Sequence, residues 1–131
     1  MAAPIDRSTR RLIAAFRYAF RGIGHLVHTQ RNFQIHLLIG AIAVSLGVVL
    51  RIDRWEWLVL TLTIGLVLAA EGFNTAVEAV VDLVTREHHP LARIAKDVAA
   101  GTVLLCALTS VVVGILIFGP RLWVLLTLLI K

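Results

Sequence analysis

Three long apolar stretches constrain this chain more than any other feature. They cover roughly residues 33–50, 57–83 and 98–118. At 1.5 Å per residue, each is long enough for a helix that crosses about 30 Å of hydrocarbon. The 131 residues are 59% hydrophobic, too apolar for an ordinary soluble domain and too few for several domains. We therefore predict a single-domain (residues 1–131), all-α membrane protein with three transmembrane helices.

The segment before the first stretch, residues 1–32, has the pattern of a helix that lies on the membrane surface. It lacks a compact apolar run followed by a small-residue cleavage site, so we expect no signal peptide. With a period near 3.6, its apolar side chains gather on one side while most of its arginines lie elsewhere. The apolar set is Leu12, Ile13, Phe16, Ala19, Phe20 and Ile23.

Polar turns separate the apolar stretches. RIDRW at 51–55 and TREHHP at 85–90 join successive spans. Pro90 cannot continue the preceding helix but suits the first turn of the next one, so a helix should begin near it. After Pro120 the chain is apolar for only about ten residues, too short to span again. We predict that residues 119–131 form an interfacial or loosely packed tail.

Basic residues predict the orientation in the membrane. Of 13 Lys and Arg residues, six precede the first span and three lie between the second and third. An N-terminus inside the cell therefore places nine of them on the cytoplasmic side. The net charge of +5 then suits anionic headgroups or a polyphosphate, and it does not imply nucleic acid.

One face of the second span carries four polar side chains, which we call the acidic stripe: Glu71, Asn74, Glu78 and Asp82. Steps of three, four and four residues place them within about 80° of one another on a helix. Burying one ionised carboxylate in hydrocarbon costs at least about 2.5 kcal/mol. Either the polar groups join helices while Glu78 and Asp82 reach water, or a divalent cation neutralises part of the stripe and one carboxylate accepts a proton.

The next helix carries Arg93, Lys96 and Asp97 in its first two turns. If it runs antiparallel to the second span, these groups lie at the depth of Glu78. A Lys-Asp pair at a membrane edge can be a simple interfacial anchor. Next to the stripe, a site for phosphate and metal is the favoured interpretation.

Two other functions remain open from the residues alone. A proton or ion pathway also uses intramembrane carboxylates, but here the acids stop at Glu71. A small structural subunit could pair its acids with a partner's cations, which leaves Lys96 and Asp97 unexplained. No GxxxxGK[ST] loop is present to hold a nucleotide.

The stretch EGFNTAVEAVVDLVTREHHPLARIAKDVAAGTVLL (71–105) closely resembles the signature of the small bacterial integral-membrane lipid kinases, the family of diacylglycerol and undecaprenol kinases. The resemblance extends more weakly through Tyr18, Arg21-Gly22 and RNFQIH (31–36). It implies a homotrimer of three-span subunits in the bacterial cytoplasmic membrane, with composite sites at the cytoplasmic surface. It also implies transfer of the γ-phosphoryl group of ATP to the hydroxyl of a membrane lipid.

The resemblance also implies roles for individual residues. Glu71 would be the general base, with Asn74 orienting groups beside it. Glu78 would bind the Mg²⁺ that accompanies ATP. The nucleotide would be held by Lys96 and Asp97, with pocket-lining groups at Arg11, Tyr18, Glu87, His88 and His89.

Two departures from the family pattern concern the nucleotide and its metal. Where many members carry a second metal-binding Glu, this chain has Gln30, whose amide oxygen can ligate Mg²⁺ without contributing charge. His88 stands where a diacylglycerol kinase has an aromatic side chain. The RNFQIH and loop stretches are more similar to the undecaprenol kinase branch, so undecaprenol is the favoured lipid and diacylglycerol the alternative.

Overall fold

Residues 6–130, which a computed structural model describes, form four helices joined by short connections. They are α1 (Arg7–Thr29), α2 (Arg31–Val49), α3 (Arg54–Val84) and α4 (Pro90–Leu129). Helices α2, α3 and α4 are each long and apolar enough to cross a membrane. The all-α fold class and the three spans are confirmed. The first five residues of the predicted surface segment and Lys131 lie outside the described residues.

Helix α1 corresponds to the predicted surface helix. Asp6 caps it by accepting a hydrogen bond from the Ser8 backbone N–H at 3.4 Å. None of its residues is buried, and most of its apolar side chains, including Phe16 and Phe20, are exposed. Gln30 has an extended backbone and separates α1 from α2. An exposed apolar face of this kind suits the boundary between lipid headgroups and acyl chains.

The turn from α2 to α3 is held by a Schellman motif. The Ile52 N–H donates to the Gly47 carbonyl at 3.1 Å, and the Arg51 N–H donates to Val48 at 3.3 Å. Arg51 adopts φ 50, the left-handed conformation that this motif requires. The turn folds Ile52 back into the protein, where it is buried with Leu60, Ile117 and Phe118.

Helices α3 and α4 pack against each other more extensively than any other pair. A capping box begins α3: Asp53 accepts from the Trp55 and Glu56 N–H groups, and Glu56 accepts from the Asp53 N–H. The same Glu56 carboxylate receives two hydrogen bonds of 2.7 Å from the Arg121 guanidinium. This bidentate pair links the start of α3 to the far part of α4, so the two helices run antiparallel.

The helix that contains the third apolar stretch extends beyond residue 118. We expected the third span to end there and a separate tail to follow, but α4 continues through Pro120 to Leu129. Proline removes one backbone hydrogen bond from a helix interior. In this turn the Arg121 guanidinium donates to the Ile117 carbonyl at 2.9 Å as well as to Glu56. These side-chain bonds lie in the same turn as the proline, and the Leu-rich run that follows is also helical.

We expect Gly47→Val to destabilise the fold. A Cβ at this position would lie 2.9 Å from Trp57 Cη2 and 3.0 Å from Ile52 Cδ1, so these buried or partly buried side chains would have to move. Overpacking of this kind costs about 1–3 kcal/mol, which thermal unfolding in detergent would register as a lower midpoint. The control is Gly65→Ala, where the added methyl meets no described atom within 4 Å. Equal midpoints for both variants would contradict the packing at Gly47.

Candidate active site

The acidic stripe runs from the protein interior to the solvent. Glu71 is 3% exposed and Asn74 is 8% exposed, and they are the buried polar side chains among the described residues. Glu78 is half-buried and Asp82 is exposed. The two inner members therefore face the interior of the helix bundle and not the acyl chains. Polar side chains in membrane spans usually face the bundle interior in this way, and they commonly mark functional sites.

One buried hydrogen-bond acceptor at the inner end of the stripe has no donor among residues 6–130. Asn74 Nδ2 donates to Glu78 Oε1 at 3.2 Å, which orients both side chains. Within residues 6–130, Asn74 Oδ1 is buried without a hydrogen-bond partner. No side-chain hydrogen bond in that range reaches the Glu71 carboxylate either; Thr75 Oγ1 donates to the Glu71 backbone oxygen at 3.1 Å. Native proteins rarely leave such groups unpaired unless a ligand or water completes them.

Lys96 lies next to the acidic stripe, as the antiparallel arrangement predicts. Its Nζ is 2.6 Å from Asp82 Oδ1, one helical turn beyond Glu78. Arg93 and Asp97 form a looser pair at 3.7 Å on the exposed face of α4. Cations and carboxylates therefore converge where α3 ends and α4 begins, with Asp82 and not Glu78 as the direct partner of Lys96.

An open cleft of about 430 Å³ occupies this junction. Its walls come from the last turns of α3, the connecting loop and the first turns of α4. Five of the predicted nucleotide-binding residues line it: Glu87, His88, His89, Lys96 and Asp97. His89 also caps α4, because its Nδ1 accepts from the Leu91 N–H at 3.2 Å. Imidazole, guanidinium and ammonium groups around one cleft are suited to a polyphosphate.

The other predicted site residues lie outside the lining of this cleft. Arg11 and Tyr18 are exposed on α1, where the Arg17 guanidinium lies 5.6 Å from the centre of the Tyr18 ring. Gln30 donates from Nε2 to Thr29 Oγ1 at 3.2 Å and, among the described residues, forms no hydrogen bond with Glu78. No three His, Cys, Asp or Glu side chains converge as a metal site in the part of the chain that the structure describes.

Sequence reasoning left two contributors to this region without a role. Arg86 lines the cleft, and Asp82 holds Lys96. The sequence signal for Asp82 was its place at the end of the stripe, but its partner could be named only once the register of α3 and α4 was known. For Arg86, its position in the polar loop was the available signal.

A second cavity, of about 240 Å³, lies deeper among α2, α3 and α4. Its wall is mainly apolar and reaches Val67, one turn of α3 from Glu71. The hydroxyl groups of Thr63 and Ser110 on this wall bond to carbonyls of their own helices. The cavity therefore offers mainly hydrocarbon surface, and His36 is the titratable side chain in its lining.

Comparison with known proteins agrees with this geometry. The family model for prokaryotic diacylglycerol kinase matches residues 17–118, which include the acidic stripe, the loop and the basic start of α4. The chain belongs to the prokaryotic diacylglycerol kinase family. Membership places it among the bacterial membrane lipid kinases and confirms the resemblance drawn from the motif.

Relatives within this family carry two names. The chain is 42% identical over 112 residues to an undecaprenol kinase of Bacillus subtilis, covering 86% of this chain and 91% of that protein. It is 46% identical over 104 residues to a diacylglycerol kinase of Synechocystis, covering 79% of this chain and 59% of that protein. A diacylglycerol kinase of Escherichia coli is 29% identical over 102 residues, covering 78% of this chain and 84% of that protein.

We expect a charge exchange between Asp82 and Lys96 to test the register that assembles the site. Asp82→Lys alone places two cations together at the α3–α4 junction and should lower the unfolding midpoint. The double variant Asp82→Lys/Lys96→Asp restores the attraction and should recover most of the loss. Because both side chains are partly exposed, the effect should be about 1 kcal/mol or less. A double variant no more stable than Asp82→Lys would show that the two side chains are not paired.

Proposed function

We propose that this member of the family transfers the γ-phosphoryl group of ATP to the hydroxyl of a membrane lipid, with undecaprenol as the favoured acceptor. The observation that carries the proposal is the inner end of the acidic stripe. There the buried Glu71 carboxyl group lies one helical turn from Asn74 Oδ1, a buried acceptor that lacks a donor among the described residues. A lipid hydroxyl supplies one such donor at the depth where its chain remains in hydrocarbon.

In the proposed reaction, Glu71 accepts the proton of the lipid hydroxyl. The lipid oxygen then forms a bond to the γ-phosphorus while the bond from that phosphorus to the β–γ bridging oxygen breaks, and ADP leaves. Asn74 lies one turn from Glu71 and is tied through Nδ2 to Glu78. Asn74 can therefore hold the substrate hydroxyl at a constant position relative to the Glu78 carboxylate. Positioning and charge neutralisation are the main demands of phosphoryl transfer.

The nucleotide is assigned to the cleft at the α3–α4 junction. Its lining supplies Lys96, His88 and His89 for the phosphates and the base, while Asp97 and Glu87 can accept hydrogen bonds from ribose or the base. The Lys96–Asp82 pair supports this role because it keeps the ammonium group extended toward the cleft. ATP would place its γ-phosphate toward the half-buried Glu78, which lies between the cleft and Glu71.

The donor set fits Mg²⁺ of the kind that travels with a nucleotide. Such an ion takes one or two protein carboxylates and fills its remaining positions with phosphate oxygens and water, so the absence of a three-carboxylate cluster in the described residues is compatible with it. Glu78 would hold it, with Gln30 as a weaker, uncharged ligand. When bound, the ion would neutralise charge on the transferring phosphate.

The choice of lipid rests on the relatives. The undecaprenol kinase relative aligns over nearly its whole length, whereas the Synechocystis diacylglycerol kinase aligns over 59% of its length. The similar identities make diacylglycerol the alternative acceptor, and both lipids therefore enter the assay side by side.

The proposed assembly is a homotrimer with its sites on the cytoplasmic side. Nine of the 13 basic residues lie in the segments that this orientation places inside. Arg11, Tyr18 and Gln30 lie outside the cleft of their own chain, which supports a site completed by a neighbouring subunit. The exposed apolar sides of α2, α3 and α4 leave room for such neighbours.

We expect Glu71→Gln to abolish most turnover with purified protein, Mg-ATP and either lipid. Loss of a general base typically lowers kcat by about 10²–10⁴-fold, while the amide keeps the shape of the side chain. Glu56→Gln is the matched control: it makes the same change on the same helix, lowers stability through Arg121, and should leave kcat near the wild-type value. Undiminished turnover in Glu71→Gln would contradict the assigned base.

We expect Gln30→Glu to strengthen the response to Mg²⁺. A second carboxylate adds charge to the site, so the Mg²⁺ concentration at half-maximal rate should fall on the order of tenfold. The measurement is a Mg²⁺ titration of the initial rate at constant free ATP. An unchanged titration would remove Gln30 from the metal site and leave the assignment of Glu78 to be tested separately.

A further inference from the structure

The last turn of α1 rests against α3 beside the proposed catalytic carboxylate. Leu26 Cδ1 lies 3.4 Å from the position that a Cβ would take at Gly72, the residue that follows Glu71. This separation is a van der Waals contact. A methyl group at Gly72 would therefore fit beside Leu26, whereas a larger side chain there would press against it. We call this contact between Leu26 and Gly72 the seam.

The end of α1 is held to α2 beside the seam, although the rest of the helix is exposed. Gln34 on α2 donates from Nε2 to the Val27 carbonyl at 2.8 Å, across the break at Gln30. Thr29 Oγ1 donates to the His25 carbonyl at 2.8 Å and closes the last turn. Leu26 therefore sits in a turn whose position relative to α2 is held by these bonds, while its contact with α3 is light.

The seam lies on the open side of α3. On another side, α4 packs along α3 more extensively than any other helix does. Glu71 is almost fully buried, so a lipid hydroxyl must pass between helices to reach it. Helix α1 has no buried residue and meets α3 only lightly, which makes the seam the passage of least resistance.

We propose that Leu26 and Gly72 form a size filter for the part of the lipid next to its hydroxyl group. This inference rests on the proposed function and concerns how the chain chooses its lipid. In a prenol, the carbon next to the hydroxymethyl group carries one hydrogen and a single chain. In 1,2-diacylglycerol, the corresponding carbon carries an ester oxygen and a second chain. A narrow seam lets the unbranched end of the prenol pass and obstructs the more crowded carbon of diacylglycerol.

The test measures kcat/KM for undecaprenol and diacylglycerol in wild type and in Leu26→Ala. Widening the seam should raise the ratio of diacylglycerol to undecaprenol activity by about tenfold or more, since a few methylene groups in a substrate pocket discriminate by roughly 10–200-fold. Leu12→Ala is the matched control: it makes the same change on an exposed part of α1 and should leave the ratio unchanged. The KM for ATP should stay constant in both variants.

A second series narrows the seam from α3. Gly72→Ala places its methyl at ordinary contact distance and should change the ratio little, whereas Gly72→Val should lower activity on both lipids and on diacylglycerol most. Combining Gly72→Val with Leu26→Ala should restore activity, because the second change vacates the space that the first one fills. This rescue separates a filter from general destabilisation.

The outcomes distinguish the filter from the kinase assignment. Leu26→Ala with both activities lowered equally and the ratio unchanged would overturn the filter while the kinase assignment stands. Failure of Leu26→Ala to rescue Gly72→Val would do the same. A wild-type protein inactive on both lipids would overturn the proposed function, and the filter with it.

Discussion

The antiparallel pairing of α3 and α4 is the interaction on which the rest of the structure depends. Ion pairs lie near its two ends, Lys96 with Asp82 and Arg121 with Glu56. The paired residues are 26 positions apart on α3 and 25 apart on α4, so the helices keep one register over about 38 Å. With that register in place, Glu71 and Asn74 on α3 face protein, and the basic start of α4 lies beside Asp82.

The same pairing places the members of the acidic stripe at different depths, from the buried interior of the helix bundle to its exposed end. The buried end of the acidic stripe, Glu71 and Asn74, lies where a lipid alcohol can present its hydroxyl while its chain stays in hydrocarbon. The exposed end, with Asp82 and Lys96, opens into a cleft that water and a nucleotide can enter. Glu78 connects the two through its bond to Asn74. Under the proposed function, α3 thus connects the site of an apolar lipid with the site of a charged nucleotide.

Much of this arrangement could be predicted from the sequence because membranes simplify the physics. Apolar length sets the spans, a three-and-four residue spacing sets the stripe, and Pro90 sets the start of α4. The continuation of α4 past Pro120 could not be predicted, because proline in a helix interior usually kinks or ends the helix and the nearby Arg121–Glu56 contact joins residues 65 positions apart. Lys96 was expected at the depth of Glu78, but it pairs with Asp82, one helical turn away. A shift of one turn between two packed helices is decided by side-chain packing, which leaves no local signal in the sequence.

The most direct test of the account is infrared difference spectroscopy of the Glu71 carboxyl group. Spectra of purified protein with a non-hydrolysable ATP analogue would be compared before and after addition of undecaprenol, with Glu71→Gln identifying the band. If the buried carboxylate receives the lipid hydroxyl, its carboxyl band shifts on lipid addition and the shift is absent in Glu71→Gln. A Glu71 band that lipid alcohol leaves unchanged, in protein that still turns over, would contradict the account.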